Sequence, residues 1–150
     1  MTVTASRKRP PVAARRAGYV VSVLVNTAVL YVVNGWPGWE AVPFLTQDTQ
    51  QVMGLVNASI VASLLANVVY LFYDAPWLRS LGDLATTAIG LAALISIWNV
   101  FPFDFESSSF DWALLVRIGL VVGILGSAIG VVVQLVSLMG RASRHVPTSQ

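Results

Sequence analysis

Arg117 is the residue whose type and place depart most from expectation, because it lies inside an apolar run that extends from about Ser109 to Met139. A charge near the centre of a membrane helix costs roughly 2.5 to 3.5 kcal/mol on insertion scales. Chemistry that would justify such a cost is the binding of an anion or a headgroup, or one half of an ion pair along a conduction path. Asn57, Asn99, Asp104 and Glu106 are its candidate partners in the outer half of the membrane. The structural alternative is a tie between helices, or a stem that snorkels outward from a depth of about 9 Å by helical rise.

Uncharged polar residues form a second pattern. Ser59, Ser63, Asn67 and Tyr70 fall on one face of the second apolar run, and Tyr19, Ser22 and Asn26 on one face of the first. Two such stripes are expected to face each other, either as ordinary interhelical glue or as the border of a polar path. Asn57 falls on the other side of its helix. Arg117, Asn26, Asn57, Asn67 and Asn99 are therefore the candidate polar or transport residues.

Gly119, Gly123, Gly126 and Gly130 compose two G-x-x-x-G pairs, which fall with Ser137 on one stripe of a helix. Backbones approach closely at such a stripe, either between protomers or within the chain's own bundle. Arg117 lies nearly opposite it, so this helix presents two faces unlike lipid.

Other chemistries lack their residues. With no cysteine in the sequence, disulfide frameworks, thiolate metal sites and thiol redox reactions are excluded. The single histidine, His145, lies in the polar C-terminal stretch, so no paired imidazoles inside the membrane can hold a haem. The apolar runs contain no nucleophile and base pair, no HExxH-like pair and no cofactor motif, and no enzyme is expected. Neither metal nor cofactor is expected, since nothing in their spacing makes the outer acids converge.

The elements that must position these residues follow from composition. Of 150 residues, 56% are hydrophobic and 11% charged, against about 25% charged in a soluble domain. Four apolar runs, at about 18–34, 49–73, 81–101 and 109–139, are each long enough for a helical crossing. The expected fold is an all-α transmembrane four-helix bundle spanning 18–139. A basic, disordered cytoplasmic arm over 1–17 and a cytoplasmic tail over 140–150 flank it. Asp48 with Gln51, Ser80 with Asp83, and Ser108 with Asp111 read as caps at the starts of the second, third and fourth helices.

Lys and Arg gather in the arm, at Arg79 and in the tail at Arg141 and Arg144, while the other two loops carry only acids. This distribution predicts both termini in the cytoplasm of a bacterial inner membrane. Trp36, Trp39, Trp98 and Trp112 mark the expected outer interface, and Tyr19, Tyr73 and Trp77 the inner one.

Asn34-Gly-Trp-Pro37 and Asn99-Val-Phe-Pro102 match at an offset of 65, which also sets Gly54 against Gly119. Two parallel-repeat hairpins would explain that match, and so would common helix-end residues. The function expected from the whole is association, as a homo-oligomer or as an accessory subunit of a membrane complex, through the glycine stripe. The alternative is a small transporter or channel bordered by Arg117 and the Asn and Ser stripes. The bilayer itself and its anionic headgroups, met by the basic arm, are the other expected partners, with no nucleic acid.

Overall fold

A computed structural model describes residues 10–106 and 109–142, so most of the basic arm and the end of the C-terminal tail lie outside it. It contains α1 (Val12–Asn34), α2 (Thr49–Phe72), α3 (Pro76–Val100) and α4 (Trp112–Ala142), with one 3-10 turn at Trp39–Ala41. All four helices are long and apolar enough to cross a membrane, and the chain is a multi-pass membrane protein built as a four-helix transmembrane bundle. Leu24, Val122 and Ile129 are each about two-thirds exposed, with relative exposures of 64%, 66% and 64%. Such surfaces belong against lipid, where an exposed leucine costs nothing and only backbone groups must be satisfied internally.

Helix starts differ from the apolar runs for local reasons. α1 begins at Val12, ahead of the expected residue 18, because Pro11 offers its carbonyl to the Arg15 N–H at 3.2 Å. Its first turns are therefore basic, as the end of a helix outside the hydrocarbon can be. α3 begins at Pro76, where a proline at the first helical position sacrifices no hydrogen bond. Ser80 and Asp83 consequently sit inside the helix and form no cap. Ser80 Oγ donates to the Pro76 carbonyl at 3.0 Å, and Asp83 faces Tyr70 of α2.

Asp48 occupies the N-cap position of α2 without capping a backbone N–H; its Oδ1 accepts from the Gln51 side chain at 2.8 Å. At α4 the cap is Asp111 itself, whose Oδ1 accepts the Leu114 N–H at 2.9 Å. Ser108, the expected cap, lies outside the described residues.

The helices pack in series. α1 lies on α2, α2 on α3 and α3 on α4, and among the described residues no Cα of α1 comes within 8 Å of one of α4. The bundle is therefore open between its first and last helices. At the end of the bundle opposite the α2–α3 link, termed outer for the side its acids predict, with the other end termed inner, the two loops are joined by an antiparallel bridge between Leu45 and Phe103. Thr46 N–H donates to the Pro102 carbonyl at 3.1 Å, and Asp104 N–H to that of Phe44 at 2.9 Å.

Each helix pair has its own chemistry. Along α1 and α2 the polar stripes do meet. Tyr19 packs edge-on against Tyr70 with ring centroids 5.7 Å apart, and two turns outward Asn26 Nδ2 reaches Ser63 Oγ at 3.4 Å. α2 and α3 meet where Tyr70 lies over Gly82. A Cβ there would come within 2.9 Å of the Tyr70 ring carbon Cζ and collide with its hydroxyl, so only glycine fits. α3 and α4 close on small residues instead: a Cβ at Gly123 would touch Leu94 at 3.3 Å, and one at Gly130 would touch Thr87 at 3.7 Å.

The two hairpins do not repeat that chemistry. Asn34 and Asn57 exchange two hydrogen bonds, of 2.9 and 2.7 Å, at the outer end of the first hairpin. Their counterparts at the offset of 65 are Asn99 and Val122, which cannot. α1 ends at Asn34, whereas α3 runs one residue past Asn99 and ends on Phe101 in the left-handed conformation, at φ 44°.

Candidate functional site

The serial packing leaves a groove of about 540 Å³ at mid-bilayer, to which all four helices contribute. Asn26 comes from α1, Ser59 and Ser63 from α2, Thr86, Thr87 and Gly90 from α3, and Ser127 from α4. Every one of these residues lies near the middle of its helix. The floor is α2 and α3, and the walls are α1 and α4.

Polar groups survive in hydrocarbon only when their donors are occupied. Here most of them are returned to their own helix: Ser59 donates to the Val56 carbonyl at 2.7 Å, Thr86 to Gly82 at 2.9 Å and Thr87 to Asp83 at 2.6 Å. Asn26 likewise donates to the Ser22 carbonyl at 2.8 Å. What remains is acceptor capacity, since a hydroxyl oxygen keeps lone pairs after its proton is used. Gln134, one helical turn inward of Gly130, donates to Thr87 Oγ1 at 3.5 Å, while its own Oε1 is buried without a hydrogen-bond partner.

Of the five residues expected to border a polar path, only Asn26 lines this groove. Asn57 is taken up by Asn34, and Asn67 donates to the Ser63 carbonyl at 2.7 Å. Asn99 is exposed at the outer end of α3. Arg117 meets aromatic rings where amides or carboxylates were expected: its guanidinium carbon lies 4.2 Å from the centroid of Phe101 and 5.6 Å from that of Trp98. A weakly hydrated guanidinium tolerates a ring face better than bare hydrocarbon, which gives the charge a seat beside α3. The same stack covers Phe101, whose left-handed backbone costs a non-glycine residue roughly 1 to 2 kcal/mol.

The glycine stripe divides. Gly123 and Gly130 are taken up by α3, while among the described residues nothing outside the neighbouring turns of α4 lies within 4 Å of a Cβ built at Gly119 or Gly126. Leu94 and Thr87, which meet the first pair, also line the groove. From α4 it is Ser127, next to Gly126, that lines the groove, and the stripe runs beside it along the α3 contact, with Arg117 nearly opposite on the helix.

A second polar centre, not anticipated from the sequence, ties the inner ends of the helices. Arg15 holds Asp74 through Nη2 at 2.7 Å and Nε at 2.9 Å, and the Tyr19 hydroxyl donates to the other carboxylate oxygen at 2.9 Å. Desolvation pushes the Asp74 carboxyl up. The hydrogen bonds from Tyr19 and Arg15, with the charges of Arg15 and Arg79, outweigh it and hold the group below the usual aspartate value. Tyr19, expected at the interface as an anchor, is in fact core, while Tyr73 and Trp77 remain exposed at 62% and 56%. The available signal was an acid, Asp74, in the link that follows α2, at the same end of the bundle as Arg15 and Tyr19 of α1.

The outer acids are spread over local roles, with Asp104 accepting the Glu106 N–H at 3.0 Å and Asp111 capping α4.

The stack on Phe101 makes a prediction. Arg117→Gln lowers the unfolding free energy by about 0.5 to 2 kcal/mol, and Phe101→Leu added to it costs much less than Phe101→Leu alone. Denaturant titration of the two single variants and the double variant in detergent reads that coupling; strictly additive losses would show that the stack contributes nothing.

Compared with known proteins, the chain matches no family model, no curated protein and no solved structure.

Proposed function

We propose that this membrane protein works by association: a further transmembrane helix, from a second copy or from another membrane protein, lies along the groove and crosses α4 at Gly119 and Gly126. The observation that carries the reading is the groove itself, a concave polar surface at mid-depth to which every helix contributes and which no part of the described chain covers. Its free acceptors suit a helix that brings donors of its own. The glycine stripe beside the groove lets two backbones come close, where packing and hydrogen bonds drive helix association in lipid. No catalytic role is part of this reading.

A transport reading keeps one observation, the polar lining of the groove at Asn26. Arg117 and three of the four asparagines named for it lie elsewhere, so a path would have to be built from serine and threonine hydroxyls already bonded to their own helices.

In a cell membrane the chain is proposed to lie with both termini and the α2–α3 link at Asp74 and Ala75 in the cytoplasm, as its basic residues require. The sequence has no cysteine, so single thiols can be introduced cleanly. A cysteine at Glu40 should react with an impermeant maleimide added to intact cells and one at Ser80 should not; the reverse pattern would invert the topology.

Association is tested by the mass of the detergent-solubilised particle. The wild type should carry a second copy or a reproducible partner, and Gly126→Leu, which fills the open part of the stripe, should reduce that occupancy at least about tenfold, given the close approach that small residues permit. A wild-type particle that is strictly one bare chain would sink the proposal.

A further inference from the structure

The inner end of the bundle holds a second pocket, of about 240 Å³, with Arg15, Asp74, Arg79, Ser80 and Asp83 among its walls. Its acids are already engaged. Asp74 receives Arg15 on one oxygen and Tyr19 on the other, and Asp83 Oδ1 lies 3.2 Å from the Tyr70 hydroxyl. Arg79 is not matched in the same way. Its Nε is shielded from solvent without any hydrogen-bond partner, the facing Asp74 oxygen stands off at 3.9 Å, and the guanidinium carbon rests 5.7 Å from the centre of the Tyr19 ring.

Such a guanidinium, held in place by a ring on one side and short of an acceptor on another, is arranged for an anion that brings several oxygens. Among the residues that line the pocket, the guanidinium groups of Arg15, on α1, and Arg79, on α3, are both present. Carboxylate ligands would meet the same cations, but a tetrahedral phosphate ester can reach two guanidinium groups on different helices at once, through separate oxygens.

We propose that this pocket binds a phosphate ester, with Arg79 as the principal contact and Arg15 as the second, next to the membrane surface where lipid phosphates are concentrated. Binding there would add a negative group between α1 and α3, which among the described residues otherwise meet through Arg79 and the Tyr19 ring, with no Cα pair within 8 Å. This site is distinct from the mid-bilayer groove and does not depend on the association reading.

The test uses the full chain in detergent, with phosphatidylglycerol, diacylglycerol of the same acyl chains and inorganic phosphate as probes, and native mass spectrometry and thermal shift as readouts. Phosphatidylglycerol should be retained in preference to diacylglycerol, and Arg79→Gln should lower that retention at least about fivefold, as expected for loss of a charge-assisted hydrogen bond. Arg16→Gln, which removes an exposed charge of the same sign, should leave it near the wild type. Inorganic phosphate that stabilises the wild type but not Arg79→Gln, without retention of the lipid, would assign the site to a soluble phosphate compound. Should Arg79→Gln fail to fold, Ser80→Glu places a repelling carboxylate in the same pocket and should abolish retention. Equal retention of the two lipids with no effect of inorganic phosphate would overturn the proposal. So would equal losses in Arg79→Gln and Arg16→Gln, or wild-type retention by Ser80→Glu.

Discussion

In hydrocarbon an unpaired donor has no water to turn to, and the placement of polar groups in this bundle follows from that rule. The Ser59, Thr86 and Thr87 hydroxyls bond back to carbonyls one turn earlier, so they can face a groove open to the bilayer. Asn34 and Asn57 satisfy each other. Arg117, which has no such return route, takes ring faces in place of an acid. Full charges that need water or counter-charges are held at the inner end, where Asp74 gathers Arg15, Tyr19 and Arg79 from two other helices.

The same rule explains why the two hairpins differ in spite of their matching ends. α1 is joined to α2 and to the link that follows it by polar contacts at three depths, whereas α3 and α4 interlock through glycine against leucine and threonine. Contact between α1 and α4 would close the bundle and bury the polar centre. Its absence leaves one face of the protein concave, with acceptors at the floor and the glycine stripe beside it.

Much of this was legible in the residues. Four long apolar runs specify four crossings, and the Tyr19–Asn26 and Ser63–Tyr70 stripes face each other because side chains seven residues apart share a helix face. Other features were hidden. Ser80-Leu-Gly-Asp83 has the spacing of a capping box, but a proline at residue 76 is an equally good start and leaves Asp83 free to meet Tyr70. The seat of Arg117 depends on Phe101 adopting a left-handed backbone, which no pattern of residue types announces. The glycine stripe was visible as a whole, yet its division into a pair against α3 and an open pair depends on the rotation of α4. Serial packing in place of a closed ring is likewise a property of tertiary contacts alone.

The open arrangement is the claim on which the functional account stands, and paired thiols in this cysteine-free chain test it directly. Two thiols bridge only when their Cα atoms lie within about 7 Å. Leu94→Cys with Gly123→Cys, across the packed α3–α4 contact, should cross-link under mild oxidation, and Asn26→Cys with Ser127→Cys, on the two walls of the groove, should remain reduced. Rapid intramolecular bridging of Asn26→Cys to Ser127→Cys would mean that α1 and α4 meet in the membrane, and would contradict the groove.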